Sequence, residues 1–323
     1  MFAFFCETAL KYEKMEQNVC LIVPFGVFMQ AWNANGRIAE LLGVLAVDEG
    51  YSSSLLDGVR FMRANGPKPR VPIVYEPSII IVGQGRKRVF LGEQAYVYDS
   101  NNYLVLSVPL PLECETDASP ETPLLGLCLR VDPVALGELL MEMEDDRAPP
   151  EMVRGLYSTP LTEDLDCAAV RLLECLQSPM DARILGPGIV REITYHVLRG
   201  EQGGALRAVA ARHSRFGQIA RVLRRVHREY DKELDVESLA REANMSVSSF
   251  HHNFKAVTST SPVQYLKSIR LHKARALMLQ GDHNASTAAS RVGYSSLSQF
   301  SREFKRFFGS SPSSDAAHTR LQE

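Results

Sequence analysis

Ser248, His251, His252 and Lys255 stand in one stretch of the chain, and Ser298, Ser301, Arg302 and Lys305 in a second, each set spaced to share one face of a helix. Hydroxyl, imidazole, guanidinium and ammonium groups presented together hydrogen-bond base edges and phosphates. Arg302 has the fork that matches the two major-groove acceptors of a guanine, whereas the lysines suit phosphate oxygens. Both stretches belong to a repeat: Phe250-x3-Phe254-Lys255-x5-Ser261-Pro262 recurs fifty residues on as Phe300-x3-Phe304-Lys305-x5-Ser311-Pro312. Each phenylalanine pair is an i,i+4 pair that ties one side of its helix to a core and turns the other side outward.

The elements upstream of each copy must position that face. Leu239-Ala-Arg-Glu-Ala-Asn244-Met245 and Ala288-Ala-Ser-Arg-Val-Gly293-Tyr294 each supply a small residue where two helices cross (Ala240, Ala289) and a residue that accepts left-handed dihedrals in the turn (Asn244, Gly293). This is the pattern of a helix-turn-helix. Between the copies, Pro262 to about Leu279 reads as one helix opened by Ser261-Pro262 and stopped near Gly281-Asp282. Its length of about 27 Å holds two recognition helices near one turn of DNA apart. The charge supports the same reading. From Arg212 onward there are 18 Lys+Arg against 10 Asp+Glu, which leaves 18 and 28 for residues 1–211, so a net −2 conceals a basic part and an acidic part.

The acidic part has a different texture. At 323 residues with 45% hydrophobic and 23% charged content, the chain is globular and long enough for two domains. Between Val71 and Leu129, short runs such as Ser78–Val82, Arg86–Leu91, Gln94–Tyr98 and Tyr103–Val108, separated by turn residues, predict a small antiparallel sandwich or barrel. Helices are expected over Gly36–Val47, from Asp132-Pro133 to about Glu144 with a stop at Asp145–Pro150, over Thr162–Gln177 and over Asp181–Arg199. The last carries Leu185, Ile189, Ile193 and Val197 four apart, a stripe that serves either as a homodimer seam or as a face packed on the barrel. The expected divisions are an N-terminal extension over 1–32 that precedes the natural start, a domain over 33–203, a linker over 204–213, the helix-turn-helix domain over 214–314 and a tail over 315–323. The run Val19–Met29 is too short for a membrane span and is broken by Pro24. Six scattered cysteines without a framework spacing fit a reducing cytoplasm.

Gly293-Tyr-Ser-Ser-Leu-Ser-Gln-Phe-Ser-Arg-Glu-Phe-Lys-Arg-Phe-Phe-Gly-Ser-Ser-Pro312 resembles the signature of the AraC/XylS family of bacterial transcription regulators, and both copies match over Arg212–Ser314. Upstream, Tyr75-Glu-Pro-Ser, Gln84-Gly-Arg-Lys and Leu91-Gly-Glu resemble the N-terminal domain of one AraC-type subgroup, over Asn33–Gly200. The resemblance implies an α+β chain: an N-terminal cupin-like β-barrel with appended helices for effector binding and dimerisation, and a C-terminal all-α double helix-turn-helix domain. It also implies double-stranded promoter DNA and RNA polymerase as partners, and activation. One departure stands out, because Ser313-Ser-Asp-Ala-Ala317 lacks the aromatic and arginine of the family's final helix.

Barrels of this kind also serve as metalloenzymes, but those need clustered histidines with a carboxylate, and residues 1–211 contain only His196. No catalytic residue, metal ligand or cofactor is therefore assigned. A small-molecule effector would sit in the barrel interior, with Tyr75, Gln84, Arg86, Arg88, Tyr96 and Tyr98 as candidates. Arg86 and Arg88 share one strand face and Lys87 takes the other, so the arginines bind an anionic effector if their face is internal and are solvated charge if it is not. A thiol-based sensor using Cys114, Cys128 or the Cys167/Cys175 pair is the third reading.

Overall fold

A computed structural model describes residues 34–143, 154–211, 214–280 and 283–320. The expected extension over 1–32, the helix stop at 145–150, the Gly281-Asp282 stop and residues 212–213 of the expected linker lie outside the described residues. Helix α1 (Ala34–Leu45) precedes β1 (Gly50–Ser53), β2 (Val59–Ala64), β3 (Lys68–Tyr75), β4 (Ser78–Gln84), β5 (Arg86–Leu91), β6 (Gln94–Asp99), β7 (Asn102–Leu106), β8 (Leu110–Asp117) and β9 (Leu124–Arg130). Then come α2 (Pro133–Glu142), β10 (Leu156–Pro160), α3 (Glu163–Cys175), α4 (Pro179–Ile184), α5 (Gly186–Arg199) and α6 (Gly204–Ala210). The remainder is α7 (Arg215–Glu229), α8 (Val236–Glu242), α9 (Val247–Thr258), α10 (Pro262–Leu279), α11 (Ala285–Arg291), α12 (Leu297–Phe308) and α13 (Pro312–Arg320).

The strands form one antiparallel sheet in the order β1-β2-β9-β4-β7-β6-β5-β8-β3, with β10 beside β7. Gly92, at a φ of +63°, lies in the turn that joins β5 to β6, where a left-handed residue matches the strand twist. Lys87 on β5 comes within 3.5 Å of Met62 Sδ on β2, although four strands lie between β2 and β5 in the sheet order. The sheet therefore curls into a half-barrel. Alternation then divides its side chains. Met62, Ile80, Val82, Val89 and Leu112 face the concave side. Phe61, Ile79, Ile81 and Leu127 face the convex side, under Ile38 and Leu42 of α1, Leu172 of α3 and Ile193 and Val197 of α5.

Three expectations need correction. The helix expected over 181–199 is two helices, because Pro187 has no N–H to continue the hydrogen-bond ladder from α4. Leu185 falls in the break and is 54% exposed, whereas Ile193 and Val197 are buried under the sheet and Ile189 is half-buried against the same cluster. The inner part of the stripe is thus occupied by intramolecular packing. The segment expected as a linker forms α6, with Ala205, Leu206, Ala208 and Val209 buried. Lastly, residues 312–320 do form a helix. Within it Asp315 is buried and accepts from Arg275 Nε of α10 at 2.7 Å.

The helical part is seated on the half-barrel through α7 and α10. Phe216, Ile219 and Leu223 of α7 and Tyr265 and Ile269 of α10 belong to the same apolar cluster as the concave face. Tyr265 is fully buried and donates to the Pro109 carbonyl at 2.7 Å. With that proton committed, His227 Nε2, 2.8 Å from the phenol oxygen, must donate to it. The His227 Nδ1 is then bare and without a hydrogen-bond partner, 3.8 Å from the Glu76 carboxylate. Burial pushes His227 down to about 4, with Lys273 adding to the effect.

Ile193→Glu is expected to destabilise the fold by about 3 kcal/mol or more in chemical denaturation, because it buries an unpaired charge. A variant of unchanged stability but reduced mass would return Ile193 to a subunit seam. The histidines give a pH dependence of known sign. A histidine held below its ordinary 6.5 favours the fold above that value, and the stability is lost as pH falls from 6.5 towards 4. Urea midpoints should therefore drop over that window. His227→Gln should remove part of the drop, the rest coming from His272, which burial pushes down to about 3.

Candidate nucleic-acid interface

Each recognition unit starts from side-chain caps. Asp235, Ser246, Asn284 and Ser296 accept from backbone N–H groups in the first turns of α8, α9, α11 and α12, contributions of about 1 kcal/mol each. The first helices end alike. Asn244 (φ 52°) and Gly293 (φ 85°) take left-handed dihedrals, and the N–H groups of Met245 and Tyr294 reach back to the Ala240 and Ala289 carbonyls, each at 3.0 Å. Those two alanines are buried at the helix crossings.

The turns of the two copies differ in how tightly they are held. A β-carbon on Gly293 would lie 2.6 Å from the Asp231 carbonyl oxygen, so only glycine fits the second turn. Arg270 of α10 closes that cradle. Its guanidinium donates to the carbonyls of Tyr230 (2.7 Å), Lys232 (2.8 Å) and Gly293 (3.2 Å), which ties the end of α7 to the turn of the second unit.

The aromatic anchors are fully buried. Phe250 and Phe254 meet with tilted rings at 5.4 Å between centroids, with Phe254 edge-on to Tyr265. Phe300 and Phe304 meet in the same tilted way at 5.5 Å, in a separate cluster with Leu271, Ala274 and Met278 of α10. With those sides fixed, Ser248, His251, His252 and Lys255 of α9 and Ser298, Arg302 and Lys305 of α12 are exposed, and Ser301 is half-buried. Arg306, also exposed on α12, was not singled out in the sequence, although it directly follows Lys305.

The half-barrel candidates separate. Tyr75 and Tyr98 are buried on the concave side, their hydroxyls 2.9 Å apart. Arg86 and Arg88 point outward, paired with Asp99 (3.5 Å) and Glu115 (2.7 Å), so they do not line the interior. Gln84 is half-buried and donates to the Pro123 carbonyl, and the Tyr96 hydroxyl bonds Gln94 and Arg154 near the surface. The residue overlooked is Lys87, 7% exposed on the inner face. Its phase was readable from Val89 and Leu91, which share its side of β5, but Phe90 on the opposite side obscured the alternation. Burial pushes the Cys128 thiol up, the reverse of what an activated sensor thiol needs. Among the described residues, no three His, Cys, Asp or Glu side chains are grouped to hold a metal ion, and no helix is long and apolar enough to cross a membrane.

Paired capped helix-turn-helix units joined to an antiparallel half-barrel define a two-part helix-turn-helix regulator. Residues 55–205 match the family described as the AraC-type transcriptional regulator N-terminus, and residues 239–317 match a helix-turn-helix domain. The chain belongs to the AraC/XylS family of transcription regulators. It is 37% identical over 95 residues to the HTH-type transcriptional regulator AlkR of Acinetobacter baylyi, covering 29% of this chain and 31% of AlkR. It is 28% identical over 190 residues to a putative AraC-like transcription regulator of Streptomyces lividans, covering 58% and 62%. The matches thus span less than two thirds of those curated relatives. Fatty-acid-bound ToxT from Vibrio cholerae shares the fold, with a TM-score of 0.54 at 11% identity over 83% of this chain and 97% of that one.

Gly293→Ala is expected to lower stability by more than about 1 kcal/mol, because left-handed strain adds to the clash with Asp231. Asn244→Gly at the equivalent turn should change it by a few tenths at most. Equal thermal shifts for the two substitutions would contradict the role assigned to the second turn.

Proposed function

We propose that the chain binds double-stranded promoter DNA by inserting α9 and α12 into successive major-groove segments, and that it acts as an effector-responsive activator. The observation that carries this reading is the pairing of buried phenylalanines with an exposed polar and cationic face, repeated in both units. Ser248, His251 and His252 in one unit face different bases from Ser298, Ser301 and Arg302 in the other, so one subunit reads a directional site. Arg302 reads a guanine, and Lys255 and Lys305 hold phosphates. The half-barrel with its helices, residues 33–203, is the sensing part, and 214–314 is the DNA-binding part. ToxT, similar in fold, is known with an unsaturated fatty acid bound, which supports a small-molecule effector here. A homodimer in the cytoplasm that contacts RNA polymerase and catalyses no reaction completes the reading.

Selection from random duplexes with the full chain should return an asymmetric consensus. Arg302→Ala should then cost about 1 to 3 kcal/mol on that site and relax one position, while Lys255→Ala weakens all sequences alike and reduces the salt dependence. Equal affinity of the wild-type chain for selected and random duplex would sink the proposal.

A further inference from the structure

Lys87 is the least expected residue of the concave face. Its ammonium has three donors, and the acceptors around it are poor: the Tyr75 hydroxyl at 3.3 Å, the Met62 thioether at 3.5 Å and the Cys114 thiol. Among the described residues no carboxylate pairs with it. On the neighbouring strands Glu113, Glu115 and Asp99 have the outward phase and bond Arg70, Arg88 and Arg86 there, and Asp117 shares the phase of Glu113 and Glu115. A buried cation without a counter-charge costs several kcal/mol, and its amine is accordingly pushed down by burial.

A groove opens from the surface on the same concave side of the sheet. With a volume of about 530 Å³, a size that admits a small organic molecule, it runs between β1, β2, β4 and β9. Cys128 and Ser78 lie along it, with Arg60 at its side. Arg60 stands over the Tyr51 ring at 5.2 Å and pairs with no carboxylate among the described residues. The Lys87 ammonium lies 6.0 Å from the centroid of the same ring. The Tyr75 and Tyr98 hydroxyls, which do not line the groove, complete a polar patch around Lys87 in an otherwise apolar interior.

We propose that this patch is an anion site, in which Lys87 Nζ and the Tyr75 hydroxyl take the carboxylate of a small organic acid whose body lies along the groove past Cys128 and Arg60. The proposal rests on the reading of the half-barrel as an effector domain and names the chemical class of the effector. The carboxylate supplies the charge that the fold leaves out. Binding draws β3 and β5, which carry the two contacts, toward β2 and β9, which line the groove. Because β3 and β8 also carry the seat of α10 through Pro109 and its neighbours, the ligand acts on the elements that hold the recognition units.

The test is calorimetric titration of the full chain with benzoate, phenylacetate and octanoate, each beside its primary amide, which has nearly the same shape and no charge. At least one acid is expected to bind one to one, with its amide weaker by roughly tenfold or more. Lys87→Met should lose that acid by a similar factor while melting no lower than wild type, since it removes an uncompensated buried cation. Tyr75→Phe, which keeps the ring, should weaken the acid as well and serves if the methionine variant does not fold. Amides that bind as tightly as their acids, unchanged acid affinity in Lys87→Met or Tyr75→Phe, or binding by none of the three acids would overturn the anion site. The effector reading is decided separately, by whether any small molecule alters promoter affinity.

Discussion

Helix α10 meets a different neighbour at each step along its length, and the placement of both recognition helices depends on it. Tyr265 fixes its start to the Pro109 carbonyl at the edge of the half-barrel. Five residues on, Arg270 gathers carbonyls from the end of α7 and from the turn of the second unit. Five further on, Arg275 pairs with Asp315 and lies against the Phe308 ring. Lys267 adds an ion pair to Glu303 of α12 at 2.9 Å. A helix packed against several neighbours has no single apolar stripe, and its order comes from these polar bonds as much as from packing. Removing one partner of such a bond leaves the other unsatisfied, which costs more than the bond itself contributes.

The consequence for function is mechanical. The first unit shares a continuous apolar cluster with the half-barrel, whereas the second has its own cluster and reaches the rest chiefly through α10. The contacts that join the half-barrel to the second unit thus run through α7 and α10, with Arg270 and Lys267 making polar bonds at the far end. The relation between the two recognition helices is the quantity a change in the half-barrel would alter, and it is also the quantity a two-segment DNA site measures.

The helix-turn-helix units were readable in the sequence because their constraints are local. A crossing alanine, a left-handed turn residue, a serine cap and an i,i+4 phenylalanine pair all fall within twenty residues, and a second copy confirms the phase. The half-barrel was readable only as a class. Strand β1 is four residues of mostly polar character, β2 has two arginines three apart among apolar residues and so lacks a clean alternation, and β10 enters the sheet from between helices, so none declares itself by pattern. The faces were harder still. Strand β4 is buried at six successive positions because both sides of the sheet are covered, which removes the alternation that would tell inside from outside. On β5 it is Phe90, on the outward side, that obscures the alternation and makes Arg86 and Arg88 rather than Lys87 the candidates for the interior. Leu185 to Val197 misled for a related reason, since a four-residue spacing continues through a break that only Pro187 marks.

The central claim is that one chain holds two unlike recognition helices at a fixed separation set by α10. Hydroxyl-radical footprinting of the full chain on a selected site tests it most directly. The account predicts two protected segments on one face of the duplex, about one helical turn apart, in an asymmetric pattern that reverses when the site is inverted. A single protected segment, or two whose spacing varies from site to site, would contradict it.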